Sequence, residues 1–177
     1  MPKSKSAANS TASSRRSTAS AGRPDAIKLL TTDHREVKGL FDEYKKLAES
    51  DAEGDERKAL ADRICAMLTV HATIEEEIFY PAAREALEEQ DLLDEATVEH
   101  ASAKDLIAQI EAMDADDDLF DAKVTVLGEY IDHHVKEEEG EMFPKCKKAG
   151  MDLAGLGAEL DERKTALMSE LGVEADA

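Results

Sequence analysis

The chain has 177 residues, of which 42% are hydrophobic and only 4% aromatic, and its formal net charge is −19. The charge is uneven, because residues 1–23 carry five basic side chains and no acidic one, which leaves 17 basic against 41 acidic residues, or −24, on the remainder. An acidic body repels nucleic acid and anionic membranes, and no apolar run reaches the roughly 18 residues of a membrane span. We therefore predict a soluble domain with neither as a partner.

The first segment, residues 1–23, is rich in Ser, Ala and Thr. It cannot bury enough apolar surface to offset the entropy of folding, so we predict a disordered basic tail. It lacks the apolar segment of a secretory signal. Its Ser- and Arg-rich, acid-free composition is shared with organelle transit peptides, but without Leu or Phe it has no amphipathic face, and a flexible leader is the favoured interpretation.

Four longer stretches carry apolar residues at intervals of three and four, which predicts four amphipathic helices. The first begins at Pro24, because proline suits the first turn of a helix. The second carries Leu60 to Ile78 and is predicted to kink or end at Pro81. The third and fourth are predicted over 91–113 and 119–148.

Short loops between long helices imply antiparallel neighbours, so the predicted fold is all-α: an up-and-down four-helix bundle over residues 24–148. In residues 149–177, leucines from Leu156 to Leu171 predict a shorter C-terminal amphipathic helix, which packs on the bundle or forms a homodimer contact. Two cysteines, Cys65 and Cys146, lie too far apart in sequence for a CxxC pair, which favours a reducing, cytoplasmic location.

Four of the five histidines fall on the predicted core-facing stripes, one on each helix: His34, His71, His100 and His134. A single buried histidine is usually a hydrogen-bonded core residue, but four neutral imidazoles in one apolar core would each need a partner. A metal ion satisfies all four at once. The pattern therefore predicts a metal site inside the bundle.

A glutamate stands four residues after two of these histidines, in the pairs His71/Glu75 and His134/Glu138. This spacing places both side chains of a pair on one face of a helix, about 6 Å apart along its axis. A carboxylate among apolar positions costs several kcal/mol unless its charge is neutralised, and a cation neutralises it. The carboxylates thus strengthen the prediction of a metal site.

The two segments also form an internal repeat, since Pro81 and Pro144 follow the histidines at the same offset and an aromatic residue precedes each proline. The repeat selects between His134 and the adjacent His133, which also has a glutamate four residues later. Alignment on Pro144 favours His134 and Glu138. Two helix pairs related by a pseudo-twofold axis are therefore predicted.

The arrangement resembles the hemerythrin family, specifically its HHE cation-binding branch. The resemblance covers roughly residues 24–148 and is carried by four elements: Asp33-His34, His71 to Pro81, Glu99-His100 and His134 to Pro144. It implies two iron ions that share an oxo or hydroxo group and are held by His34, His71, Glu75, His100, His134 and Glu138. By the same resemblance, Glu75 and Glu138 bridge the two ions.

The donor set agrees with iron or manganese, because imidazole and carboxylate without thiolate disfavour a cysteine-based structural zinc site. One departure from the oxygen-carrying hemerythrins stands on the third helix. Those proteins carry HxxxH there, whereas position 104 is Lys104. The fifth histidine is therefore missing unless His133 or Tyr44 takes its place.

We predict a hemerythrin-like protein that binds O2 or a related small oxidant, for storage, sensing or detoxification. A di-iron enzyme that decomposes hydrogen peroxide or reduces nitric oxide is the first alternative, and the missing fifth histidine favours it. The second is a regulatory module that responds to iron or oxygen. No residue is assigned a catalytic role, and the sequence leaves open whether the chain is an enzyme, although a binding protein is favoured.

We assign minor roles to the residues around the six predicted metal ligands. We predict a solvated acidic face, core packing for the aromatic residues before each proline, and an exposed position for His133 beside the site. The acidic face comprises Glu76, Glu77, Glu137, Glu139 and Glu141. Asp33 and Glu99 precede their histidines and are assigned no firm contact, because adjacent helical residues point about 100° apart.

Overall fold

The structure, a computed structural model, describes residues 22–50 and 52–173, and every regular element in these ranges is helical. The helices are α1 (Ala26–Glu49), α2 (Gly54–Ile74), α3 (Tyr80–Ala86), α4 (Asp91–Glu111), α5 (Phe120–Glu137), α6 (Phe143–Lys148) and α7 (Leu153–Leu171). Two π-helical turns, π1 (Glu75–Phe79) and π2 (Glu138–Met142), join α2 to α3 and α5 to α6.

Helices α1, α2, α4 and α5 form the bundle, in which each packs against two others: α1 on α2 and α5, and α4 on α2 and α5. The predicted all-α up-and-down bundle is confirmed. Most of the predicted tail, residues 1–21, lies outside the described residues. In the described part of the chain, no helix is long and apolar enough to cross a membrane.

Of the two outcomes predicted for the second helix at Pro81, a kink or an end, the end is wrong, because π1 carries the helix through the proline to Ala86. Proline has no N–H, and its ring crowds the carbonyl four residues earlier in an α-helix. The wider turn relieves this conflict, since Tyr80 donates its backbone N–H to the carbonyl of Glu75, five residues back. The same widening precedes Pro144, where Phe143 donates to Glu138.

The core is divided into two apolar clusters with a polar layer between them. The upper cluster contains Val37, Ile64, Ile107, Phe120 and Leu127, and the lower cluster contains Leu30, Phe79, Leu93, Phe143 and Leu160, among others. The buried polar residues are Asp33, His34, His71, Glu75, His100, His134 and Glu138. All six predicted site residues are therefore buried between two water-excluding layers.

Helix α7 is part of this core rather than an appendage. Leu160 is fully buried in the lower cluster, and α7 packs against α1, α2 and π1. The contact with α1 is close, because a Cβ added at Gly157 would lie 2.4 Å from the carbonyl oxygen of Pro24. Only glycine allows this approach of α7 to the start of α1.

Candidate metal centre

The six predicted site residues converge from all four bundle helices. His34 comes from α1, His71 from α2, His100 from α4 and His134 from α5, while Glu75 and Glu138 are the first residues of π1 and π2. Their ligand atoms form two adjacent groups in which all atoms lie within 4.8 Å of one another: His34, His71, Glu75 and Glu138 in the first, and Glu75, His100 and His134 in the second.

In the first group, the Nε2 atoms of His34 and His71 are 3.1 Å apart. Oε1 of Glu75 lies 3.2 Å from His71 Nε2, and Oε2 of Glu138 lies 3.2 Å from His34 Nε2. Two donors at right angles, each about 2.1 Å from an ion, are about 3.0 Å apart. The spacing of these four atoms is therefore that of neighbouring ligands of one ion.

The second group repeats this geometry. The Nε2 atoms of His100 and His134 are 3.1 Å apart, and Oε2 of Glu75 lies 3.3 Å from His100 Nε2. Oε2 of Glu138 lies 3.6 Å from His134 Nε2. Glu75 thus presents one carboxylate oxygen to each group, whereas Glu138 approaches both groups with the same oxygen, Oε2.

Tyr80 belongs to the second group, which corrects the prediction that the aromatic residues before the prolines only pack in the core. Its hydroxyl donates to Oε1 of Glu138 at 2.7 Å and lies 3.2 Å from His100 Nε2 and 3.3 Å from His134 Nε2. The same oxygen is 3.4 Å from Oε2 of Glu75. The phenol oxygen therefore lies within 3.4 Å of four side-chain atoms of the centre.

The pseudo-equivalent of Tyr80 in the other half is Phe143, which has no oxygen. Its ring stacks on the imidazole of His34, with 5.9 Å between ring centroids and planes only 5° apart. The two groups are consequently unequal: a phenol faces the second, and an apolar ring backs the first.

Each of the four histidines is held from behind by a carboxylate at its Nδ1 atom. The pairs are His34 with Glu139 (2.8 Å), His71 with Asp33 (3.2 Å), His100 with Glu76 (3.0 Å) and His134 with Glu99 (2.7 Å). Because a carboxylate only accepts, Nδ1 carries a proton and Nε2 is the nitrogen that faces the centre. Glu76 and Glu139, predicted as part of a solvated face, thus hold histidines.

The centre carries more buried negative charge than its hydrogen bonds satisfy. Glu75 is 0% and Glu138 1% exposed, and in the described part of the chain Oε1 of Glu75 and Oε2 of Glu138 have no hydrogen-bond donor. Burial on its own raises the pKa of Glu75, but the His71 and His100 imidazoles hold that pKa well below its usual value. Two buried carboxylates, each with an oxygen that lacks a donor, fit a cation.

Tyr44 and His133 were the candidates for completing the coordination, and Lys104 stands where the fifth histidine is missing. Tyr44 is excluded, because its hydroxyl binds Asp121 at 2.5 Å within the upper cluster. His133 is 67% exposed beside Glu99 and Glu137, which confirms the predicted position outside the centre. Lys104 turns to Glu76, with Nζ 2.7 Å from Oε1, so it supports the carboxylate that holds His100.

A cavity of about 30 Å³ adjoins the four histidines on the side of the upper cluster. Its walls are mostly apolar and include Val37, Leu68, Ala103, Ile107 and Ile131. A groove of about 880 Å³ between α1 and α5 shares His34, Ile131 and Val135 with it. The cavity has room for one small molecule, and the groove lies next to it, separated from it by these shared side chains.

A four-helix bundle that converges four imidazoles and two buried carboxylates defines a class of helical cation-binding domain. The model of the hemerythrin HHE cation-binding domain family matches residues 25–146, so the chain belongs to this family. The structure is also similar to the crystal structure of a hemerythrin HHE cation-binding domain-containing protein from Mycobacterium kansasii, with a TM-score of 0.69 and 24% identity over 83% of this chain and 89% of that one. No curated protein matches the chain.

The metal-free protein should lose stability as the pH rises above neutrality. Burial alone lowers the pKa of His71, but Glu75 and Asp33 raise it well above 6.5. The stabilisation from charged His71 is therefore complete below about 6.5 and lost as the pH rises through the folded-state pKa. Urea unfolding of chelator-treated protein at pH 7 and pH 9.5 should show a loss of about 2 kcal/mol, the usual value of a hydrogen bond to a charged group.

Glu75→Gln is the matched control for this measurement. It keeps the shape of the side chain but removes one of the carboxylates that raise the pKa of His71, so its stability should change less between the two pH values. Equal stability of the unmodified metal-free protein at pH 7 and pH 9.5 would contradict this account.

Proposed function

We propose that the protein binds two iron ions in its core and uses them to bind O2 or a related small oxidant. The observation that supports this most directly is the pair of buried carboxylates, each with an oxygen that lacks a donor, among four imidazoles that turn Nε2 to the same centre. Since the Nδ1 protons are all held by carboxylates, the Nε2 atoms are free to bind cations.

On this proposal, His34 and His71 hold the first ion, and His100 and His134 hold the second. Glu75 and Glu138 bridge the ions, as their distances to both groups support. Tyr80 adds an oxygen to the second ion alone. The first ion would be held by His34, His71, Glu75 and Glu138 without a phenol, which would leave it the more open of the two to an exogenous ligand.

Nitrogen and oxygen donors without sulfur favour iron over a structural zinc. The two thiols are placed elsewhere, Cys65 in the upper cluster and Cys146 in the lower. Burial raises the pKa of Cys65 to about 12 and that of Cys146 to about 11, so both remain protonated. Neither thiol competes for the metal.

The cavity beside the histidines supports a small, uncharged ligand. Its apolar walls offer little to a charged molecule, and its volume of about 30 Å³ suits one of diatomic size. When bound, the iron pair supplies the reversible redox chemistry that holds or reduces an oxidant. The chain supplies the dry walls that exclude other ligands. The groove between α1 and α5 admits the small oxidant.

Decomposition of hydrogen peroxide is a second candidate function, favoured by the proton of Tyr80. Burial, with Glu75 and Glu138, raises the pKa of Tyr80 well above 10. The phenol is therefore a proton donor at the centre in the metal-free protein, directed at Glu138. Release of O2 on addition of peroxide, measured with an oxygen electrode, distinguishes this enzyme from a carrier.

Protein expressed with iron should contain two iron ions per chain, and Glu138→Ala should lose at least one, because Glu138 lies between the two groups. Glu137→Ala is the matched control, since the neighbouring carboxylate contacts exposed His133 instead. Iron analysis by mass spectrometry measures both. One ion per chain in the unmodified protein, or zinc in preference to iron, would overturn the proposal.

Replacement of Tyr80 with Phe should remove a visible absorption band from the ferric protein. If Tyr80 is a ligand, its phenolate gives a charge-transfer band with iron(III) and the matching phenolate vibrations in resonance Raman spectra. Tyr44→Phe, whose hydroxyl binds Asp121 instead, should leave both signals unchanged. Identical spectra for Tyr80→Phe and the unmodified protein would show that Tyr80 only donates a hydrogen bond.

Filling the cavity should weaken ligand binding without loss of metal. Ala103 is buried in its wall on α4, whereas Ala108 is exposed on the same helix. Ala103→Leu should weaken the binding of nitric oxide to the ferrous protein about tenfold, or about 1.4 kcal/mol, and Ala108→Leu should not. Unchanged nitric oxide affinity in an iron-loaded Ala103→Leu protein would show that ligands bind outside this cavity.

A further inference from the structure

Helix α7 lies beyond residues 25–146, the part of the chain that the family model matches, yet it reaches the metal centre. Nζ of Lys164 on α7 lies 2.6 Å from Oδ1 of Asp33. The other oxygen of Asp33 accepts from Nδ1 of His71 at 3.2 Å. A chain of contacts thus runs from the C-terminal helix through one carboxylate to a proposed ligand of the first ion.

Both partners of this ion pair are withdrawn from water. Asp33 is buried, and the side chain of Lys164 is only 24% exposed. Burial on its own raises the pKa of Asp33, but the contacts with His71 and Lys164 outweigh this effect and bring the pKa below its usual value. The carboxylate is therefore ionised. Without Lys164, this buried charge would be satisfied by His71 alone and would tend to rotate towards water.

A second contact fixes α7 at the same height of the bundle. The Arg163 guanidinium makes two hydrogen bonds to Glu77 of π1, at 2.7 and 3.1 Å. Glu77 is about half exposed and contacts none of the six proposed ligands in the described part of the chain. Arg163 therefore anchors the helix without contacting the centre. The adjacent Lys164, in contrast, contacts Asp33, the carboxylate that holds His71.

The two halves of the bundle differ at this point. Asp33 and Glu99 are pseudo-equivalent, since each precedes a proposed ligand and accepts from the histidine of the next bundle helix. Asp33 is paired with Lys164, but Glu99 faces exposed His133 at 3.6 Å. The external support of the first ion comes from α7, and that of the second comes from the bundle itself.

We infer that α7 is a built-in support of the first metal site and that Lys164 is its positioning residue. The inference rests on the proposed function. Lys164 holds Asp33 in place, Asp33 orients the ring of His71, and His71 presents Nε2 to the first ion. Because coupling is reciprocal, occupation of the first site must also tighten the docking of α7 on the bundle.

Three full-length variants test the inference. Lys164→Met keeps the length of the side chain without its charge, Lys164→Arg keeps the charge, and Arg163→Met removes the neighbouring anchor. Each is titrated anaerobically with Fe²⁺, and Mössbauer spectra resolve the two ions. Lys164→Met should bind the first ion about 10- to 100-fold more weakly and the second normally. Lys164→Arg should restore binding, and Arg163→Met should bind both ions.

Hydrogen exchange gives a second measurement that does not depend on activity. Addition of iron should slow exchange of the α7 amides in the unmodified protein and much less in Lys164→Met. Normal binding of both ions by Lys164→Met, or equal losses in Lys164→Met and Arg163→Met, would overturn the role of Lys164. Failure of the unmodified protein to bind iron would instead overturn the proposed function, so the two failures are distinguishable.

Discussion

Two carboxylates that are withdrawn from water in the middle of an apolar bundle set the constraint on which this structure depends. Glu75 and Glu138 lie between the upper and lower clusters, where an unpaired negative charge is costly. Four imidazoles surround them, yet each carboxylate keeps an oxygen without a donor. The layer is therefore electrostatically incomplete as protein alone, which fits a cation-binding domain.

The pseudo-twofold repeat solves the problem of orienting four imidazoles with few residues. The residue before the first histidine of each half holds the second histidine, as Asp33 holds His71. The residue after each central glutamate holds a histidine of the other half, as Glu76 holds His100. The six proposed ligands and the four carboxylates that hold the histidines thus share the same short segments. The symmetry is then broken by Tyr80 at one group and Lys164 at the other, so the two proposed ions are inequivalent.

The sequence by itself determined the fold class and the six residues of the centre. Period-three-and-four patterning places His34, His71, His100 and His134 on the buried faces of four helices, and a spacing of four adds Glu75 and Glu138. These are local properties, because the geometry of an α-helix converts spacing into direction without knowledge of the neighbours. The same logic held for His133, which lies 100° round the helix and is exposed.

Only the tertiary structure decided which residues complete and support the centre. A regular α-helix turns Tyr80 about 140° away from Glu75, but π1 brings the two onto one side, so helical spacing pointed to Tyr44 instead. The sequence predicts that Glu76 is solvated, because its partner, His100, lies on another helix. Lys164 meets Asp33 across 131 residues. Such contacts arise from packing between helices, which single-helix periodicity does not contain.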